Sequence, residues 1–188
     1  MKKFALSLLA VVLLAGCSAG AGAVDQQAGG DKRFVSGDGS VSTYPRGERK
    51  KAPNISGEVV GEGSFTLDEF AGKVVVINFW GQWCAPCRAE ADDLIEVYEA
   101  TKAQGVEFLG INVRDSEDRA AAFENTFDVP YESVFDPSGR VALGFRDTPP
   151  NAIPATIVLD REHRVATVFR KPLLAEDLEP VVAALAAE

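Results

Sequence analysis

The sequence predicts an α/β domain in which helices flank a central mixed β-sheet, with an N-terminal extension ahead of it. Three observations carry that expectation. Val74–Trp80 and Val106–Val113 are β-branched, apolar runs separated by a stretch of helical spacing, and a second helical stretch follows. Strand, helix, strand, helix implies parallel pairing with right-handed crossovers. Residues 153–159 and 165–170 are apolar runs on either side of a polar tip, with a last helical pattern after them. They read as an antiparallel hairpin and a helix, which makes the sheet mixed. Finally, 188 residues at 46% hydrophobic content are enough for one well-filled core plus appendages.

The chain opens with Lys2 and Lys3 ahead of an apolar stretch, residues 4–15. That stretch is too short for a bilayer, which takes about 20 residues, and reads as a secretory leader. It ends in Leu14-Ala15-Gly16-Cys17, which resembles a bacterial lipobox. The resemblance implies a signal peptide over residues 1–16 and a lipid on the Cys17 side chain. An ordinary cleaved signal with an incidental cysteine is the alternative. Two acyl chains hold a protein on a membrane where one does so only marginally. The expectation is an extracytoplasmic protein, lipid-anchored to the bacterial cell membrane. Net charge is −9, and loss of residues 1–16 leaves 17 basic against 28 acidic residues, near −11. That balance argues against nucleic acid as a partner. Residues 17–54 are small, polar and Gly-rich, the texture of a flexible linker. Arg46, Arg49, Lys50 and Lys51 form a basic knot there, read as solvated in preference to touching anionic headgroups.

The domain is expected over residues 55–188. Residues 57–60 and 64–67 suit short strands or a hairpin, and Leu67–Phe70 a helical turn. Val74–Trp80 has the composition of a strand buried on both faces. From Ala91 the larger apolar residues fall at Leu94, Ile95, Val97 and Tyr98, a helix that ends before Gly105. Asp115 or Ser116 is a candidate cap for a helix reaching about Thr126, with Phe123 and Phe127 inward. Residues 133–135 form a short strand, 136–139 a turn and 141–145 a brief helix. His163, among charges at the hairpin tip, is expected to be exposed. Asp177 is the expected cap of the last helix, with Leu178, Val181, Val182 and Leu185 inward. Pro180 then falls in its first turn, where proline is tolerated.

The chemistry concentrates in Trp83-Cys84-Ala85-Pro86-Cys87, on the turn from the central strand into the first helix. Unpaired backbone N–H groups and the positive end of a helix dipole favour a thiolate on Cys84. Pro86, in the first turn, lacks an N–H that has no partner there anyway. A thiol with a pKa near 8.5 is only about 3% ionised at pH 7, whereas one near 7 is about half ionised. The thiolate attacks disulfides, and a second thiol close by can resolve the mixed disulfide. A redox dithiol is the favoured reading; half a zinc site and an inert disulfide are the alternatives. Zinc wants further ligands, and only Cys17 and His163 remain among the cysteines and histidine. Neither a metal nor another cofactor is expected. The chain is not a haem carrier, since Arg88 occupies the position after Cys87 where a histidine is needed.

With those residues in view, residues 55–188 resemble the thioredoxin-like proteins of TlpA/ResA type. The resemblance rests on Asn78-Phe79-Trp80-Gly81-Gln82-Trp83-Cys84-Ala85-Pro86-Cys87, then Glu90, then Ile153-Pro154-Ala155-Thr156. It implies a thioredoxin-like fold and a membrane-tethered thiol–disulfide oxidoreductase. Such proteins commonly reduce apocytochrome c cysteines before haem attachment and draw electrons from a membrane dithiol donor. On this resemblance Cys84 is the nucleophile and Cys87 the resolving cysteine, together a redox-active disulfide. Glu90 is an acid that exchanges protons with them, with a raised pKa where partly buried. Pro154 carries the cis peptide bond that offers backbone to an extended substrate. Trp83, Pro86 and Ile153 join it as substrate contacts, while Trp80 is the more buried tryptophan. Asn78 stands where cytoplasmic thioredoxins carry a titrating aspartate, which shifts proton handling toward Glu90. Ala91-Asp92-Asp93 stands where an apolar residue and proline are common, leaving partner choice open. Arg88 either stabilises the Cys84 thiolate or faces water. Three other functions remain to be weighed against reduction. Oxidation of secreted proteins uses the same dithiol, and a binding module or chaperone leaves it idle. A peroxidase needs an earlier peroxidatic cysteine, and none lies between Cys17 and Cys84.

Overall fold

Every residue of the central strand is shielded from water, and the rest of the described chain is arranged around it. The computed structural model describes residues 37–188. Its strands are β1 (Val41–Thr43), β2 (Ser56–Glu58), β3 (Ser64–Thr66), β4 (Val74–Trp80), β5 (Val106–Val113), β6 (Ser133–Asp136), β7 (Ala155–Leu159) and β8 (Val165–Phe169). The helices are α1 (Ala85–Ala89), α2 (Ala91–Thr101), α3 (Glu117–Phe127), α4 (Arg140–Gly144) and α5 (Ala175–Ala186). Six strands form one sheet in the order β1-β8-β7-β4-β5-β6, while β2 and β3 form a separate antiparallel pair. β4 runs parallel to β5 and antiparallel to β7, so the expected mixed sheet is what forms.

Strand periodicity sorts β4 onto two faces. Val75, Ile77 and Phe79 join a core with Ile55, Phe65 and Phe145, under the β2–β3 hairpin and α4. Val74 and Val76 face Leu94 and Val97 of α2 and Leu178 and Val182 of α5. Asn78 and Trp80 share that second parity at the strand's C-terminal end, where the dithiol loop departs. Among the described residues no helix is long and apolar enough to cross a membrane.

Several local expectations change in three dimensions. Part of the expected linker is ordered: Val41 to Thr43 pair antiparallel with β8, and Lys51 bridges to Arg164. Of the basic knot, Arg46, Lys50 and Lys51 are exposed as expected, and Arg49 alone turns inward. Arg49 bonds Asp160 at 3.2 Å and Glu188 at 2.7 Å, and Arg46 reaches Glu162 at 3.4 Å. The signal peptide and Cys17 lie outside the described residues. The single long helix after the dithiol is broken at Glu90, which closes α1 and opens α2. Ser116 is the N-cap of α3 without a side-chain bond, and Asp115 turns away toward the dithiol loop. Helix α5 starts earlier than expected, with Leu174 as N-cap and Asp177 three residues in, so Pro180 lies inside the helix. His163 is buried, not exposed. Its left-handed backbone, φ +55°, turns the ring inward, and Nε2 lies 2.9 Å from the Phe70 carbonyl oxygen.

Candidate active site

The dithiol stands where the sequence places it. Cys84 is the N-cap of α1 in an extended conformation, and Pro86 lies in the helix's first turn. Cys84 and Cys87 form a disulfide with their Cα atoms 5.3 Å apart. The Cys87 N–H donates to Cys84 Sγ at 3.2 Å, the bond expected of a sulfur capping a helix. Both cysteines are buried, Cys84 to 1% and Cys87 to 2% exposure. They sit in an apolar cluster with Trp80, Ala91, Ala120 and Phe123, flanked by the half-buried Val60, Trp83 and Ile153.

The kink at Glu90 turns its side chain into the protein, where it is 1% exposed. Its carboxyl accepts from the Asn78 amide at 2.9 Å and from the Leu173 N–H at 2.9 Å. Asn78 also donates to Thr156 Oγ1 at 3.1 Å. Burial pushes the Glu90 carboxyl up to about 7; its two donors oppose the rise and the Asp93 charge adds to it. A small, partly open pocket runs beside the resolving cysteine, lined by Asn78, Cys87, Trp80, Phe123, Tyr131 and Ser133, among others. Glu90 is thus one hydrogen bond behind the wall that Cys87 shares. The Tyr131 hydroxyl is pushed up by burial and by the Glu90 and Glu124 carboxylates.

The remaining expected site residues arrive from another part of the chain. Ala155 pairs with Phe79 across β7 and β4, which sets Pro154 level with Trp80, where the dithiol loop begins. The Ile153–Pro154 bond is cis. Pro154 is buried, and Ile153 packs against the dithiol cluster. Trp83 is half-buried with Nε1 donating to the Val113 carbonyl at 3.3 Å, whereas Trp80 is 4% exposed and donates to Ser133 Oγ at 3.2 Å. Arg88 is exposed and donates to the Gln82 carbonyl at 2.6 Å. Val60, Tyr131 and Asp115 join the site without having been singled out for it. Val60 and Tyr131 come from distant loops and carry no local motif, and Asp115 reads as a helix cap.

The comparisons with known proteins agree with this geometry. A model of the AhpC/TSA family matches residues 49–168. The thiol:disulfide interchange protein HelX of Rhodobacter capsulatus is 34% identical over 144 residues, 73% of this chain and 78% of that protein. The thiol-disulfide oxidoreductase ResA of Geobacillus kaustophilus is 32% identical over 113 residues, 60% of this chain, and the match spans 63% of ResA. Among solved structures, a secreted thiol-disulfide isomerase of Corynebacterium glutamicum superposes with a TM-score of 0.76 at 40% identity, covering 85% of this chain and all of that one. The chain therefore belongs to the AhpC/TSA family, among the thioredoxin-like thiol–disulfide oxidoreductases of ResA and HelX type.

Proposed function

We propose that the protein is a membrane-anchored, extracytoplasmic thiol–disulfide oxidoreductase that reduces disulfides in partner proteins. Apocytochrome c is the substrate class that the resemblance suggests. The observation that carries the reading is a vicinal cysteine pair at a helix N-cap, one wall away from a buried, proton-holding carboxyl. In the proposed cycle the Cys84 thiolate attacks one sulfur of a substrate disulfide. The other sulfur leaves as a thiolate and takes up a proton. Cys87 then gives its proton through the pocket toward the Glu90 carboxylate and attacks Cys84 Sγ, expelling the second substrate thiolate. Two electrons have passed to the substrate, and a membrane dithiol donor returns the Cys84–Cys87 pair to its thiols. Trp83, Pro86 and Ile153 supply apolar surface around the pair, and Pro154 presents backbone to an extended substrate segment. Attachment through Cys17 keeps the domain near its donor, and the names of the relatives support an extracytoplasmic setting.

Three measurements test this reading. Cys87→Ser is expected to trap substrates as mixed disulfides on Cys84, identifiable by mass after non-reducing separation; Cys84→Ser is expected to trap none. Equal function in Cys84→Ser and the unmodified protein points instead to a binding module. A reduction potential below about −220 mV fits a reductant, whereas a value near −120 mV assigns the opposite direction, oxidation of secreted proteins. Cys17→Ser is expected to release the protein from the membrane fraction, and persistent membrane binding rules out the lipid anchor.

A further inference from the structure

The loop that delivers Cys84 is held from two sides at one residue, Gln82. Its N–H donates to the Asp115 carboxylate at 2.6 Å, and its carbonyl accepts from the Arg88 guanidinium at 2.6 Å. Gln82 precedes Cys84 by two residues and Arg88 directly follows Cys87, so the Arg88 bond spans the dithiol. Asp115 is built into place. Arg114 adopts the left-handed region, φ +53°, and turns the chain back after β5. Asp115 Oδ1 accepts from the Ser116 N–H at 3.0 Å, and Oδ2 also accepts from the amide of the fully buried Asn112 at 3.3 Å. Both bonds to Gln82 join a charged group to the backbone, the stronger class of hydrogen bond.

Building on the oxidoreductase reading, we propose that Asp115 and Arg88 are positioning residues that clasp Gln82 and hold the two thiols within re-closing distance after reduction. The quantity at stake is the effective molarity of one thiol at the other, which fixed geometry raises and loop freedom lowers. It is read in the exchange of the protein dithiol with oxidised glutathione, which yields the protein disulfide and two reduced glutathione molecules. Two electrons pass from the protein to glutathione, and the two thiol protons go to the glutathione sulfurs. A tighter clasp favours the disulfide and makes the dithiol a stronger reductant. Stabilisation of a Cys84 thiolate by Arg88 has the opposite sign, because losing it disfavours the reduced form.

The test equilibrates the full chain, in detergent, with glutathione buffers and reads the oxidised fraction by mass after alkylation. Arg88→Ala and Asp115→Ala are each expected to lower the closure constant about tenfold, a shift of about 30 mV toward the oxidising side. Asp115→Asn, which keeps an acceptor for the Gln82 N–H, is expected to stay nearer the unmodified value. Arg88 is exposed, so its replacement leaves the core intact. A closure constant in Arg88→Ala that is unchanged or raised overturns the clasp. So does an Asp115→Asn shift as large as that of Asp115→Ala, since charge alone then accounts for it. Failure of the unmodified protein to exchange with glutathione at all defeats the oxidoreductase reading, and the clasp with it.

Discussion

Glu90 holds its proton because its carboxyl is almost wholly out of water; its two amide donors favour the carboxylate but do not offset the burial, and no cation among the described residues faces it. Its folded value of about 7 lies above the ordinary 4.5. Between those pH values the folded protein therefore keeps a proton that the unfolded chain has released. Stability falls as pH rises from 4.5 through 7, by on the order of 3 kcal/mol from this group. In Glu90→Gln that component is absent. Denaturation midpoints of the oxidised variant are expected to decline less between pH 4.5 and 8 than those of the unmodified protein, and parallel declines contradict the assignment. The cysteine pair was legible from its spacing, and Glu90 and Pro154 were named through the family resemblance. The burial of His163 was not, since nothing local shows that the Phe70 carbonyl waits 2.9 Å away.

At the scale of elements, helices are completed by groups from their neighbours. Asp93 on α2 accepts from the Ala175 N–H at 2.9 Å, so an acid from one helix caps the start of another. Asp93→Ala is expected to lower stability by about 1 kcal/mol, as cap losses do, measured by urea denaturation. From the sequence Asp93 reads as a rim charge; only the docking of α5 beside α2 turns it into a cap. Phe123 of α3 stacks at 4.3 Å on Trp80 and 4.7 Å on Phe127. Its truncation to alanine is expected to cost about 3–5 kcal/mol and to alter the emission of Trp80, since a cavity opens beside the redox pair. Here periodicity sufficed: an inward Phe123 follows from helical spacing alone.

At the scale of the whole molecule, distant segments are tied together by one guanidinium. Arg49, 8% exposed, joins Asp160 after β7 to Glu188, and Asp160 is 2% exposed. Arg49→Met leaves Asp160 with Arg164 as its remaining cation and is expected to cost about 2 kcal/mol, the scale of a lost hydrogen bond between charged groups. A midpoint unchanged in thermal denaturation contradicts that role. Residues 41–54 read as linker because their composition is polar and small. They order because the β8 edge offers unpaired backbone groups to β1, and because the buried Asp160 takes Arg49 as its partner.

The sequence by itself determined the strands from β2 onward, the helical stretches and the dithiol on its turn. Each depends on periodicity or on residue types within one short window. Tertiary structure alone decided the depth of Glu90, the clasp on Gln82 and the ordering of the segment before the domain. Those depend on partners 6 to 139 residues away, and a local pattern carries no record of what the fold will bring beside it.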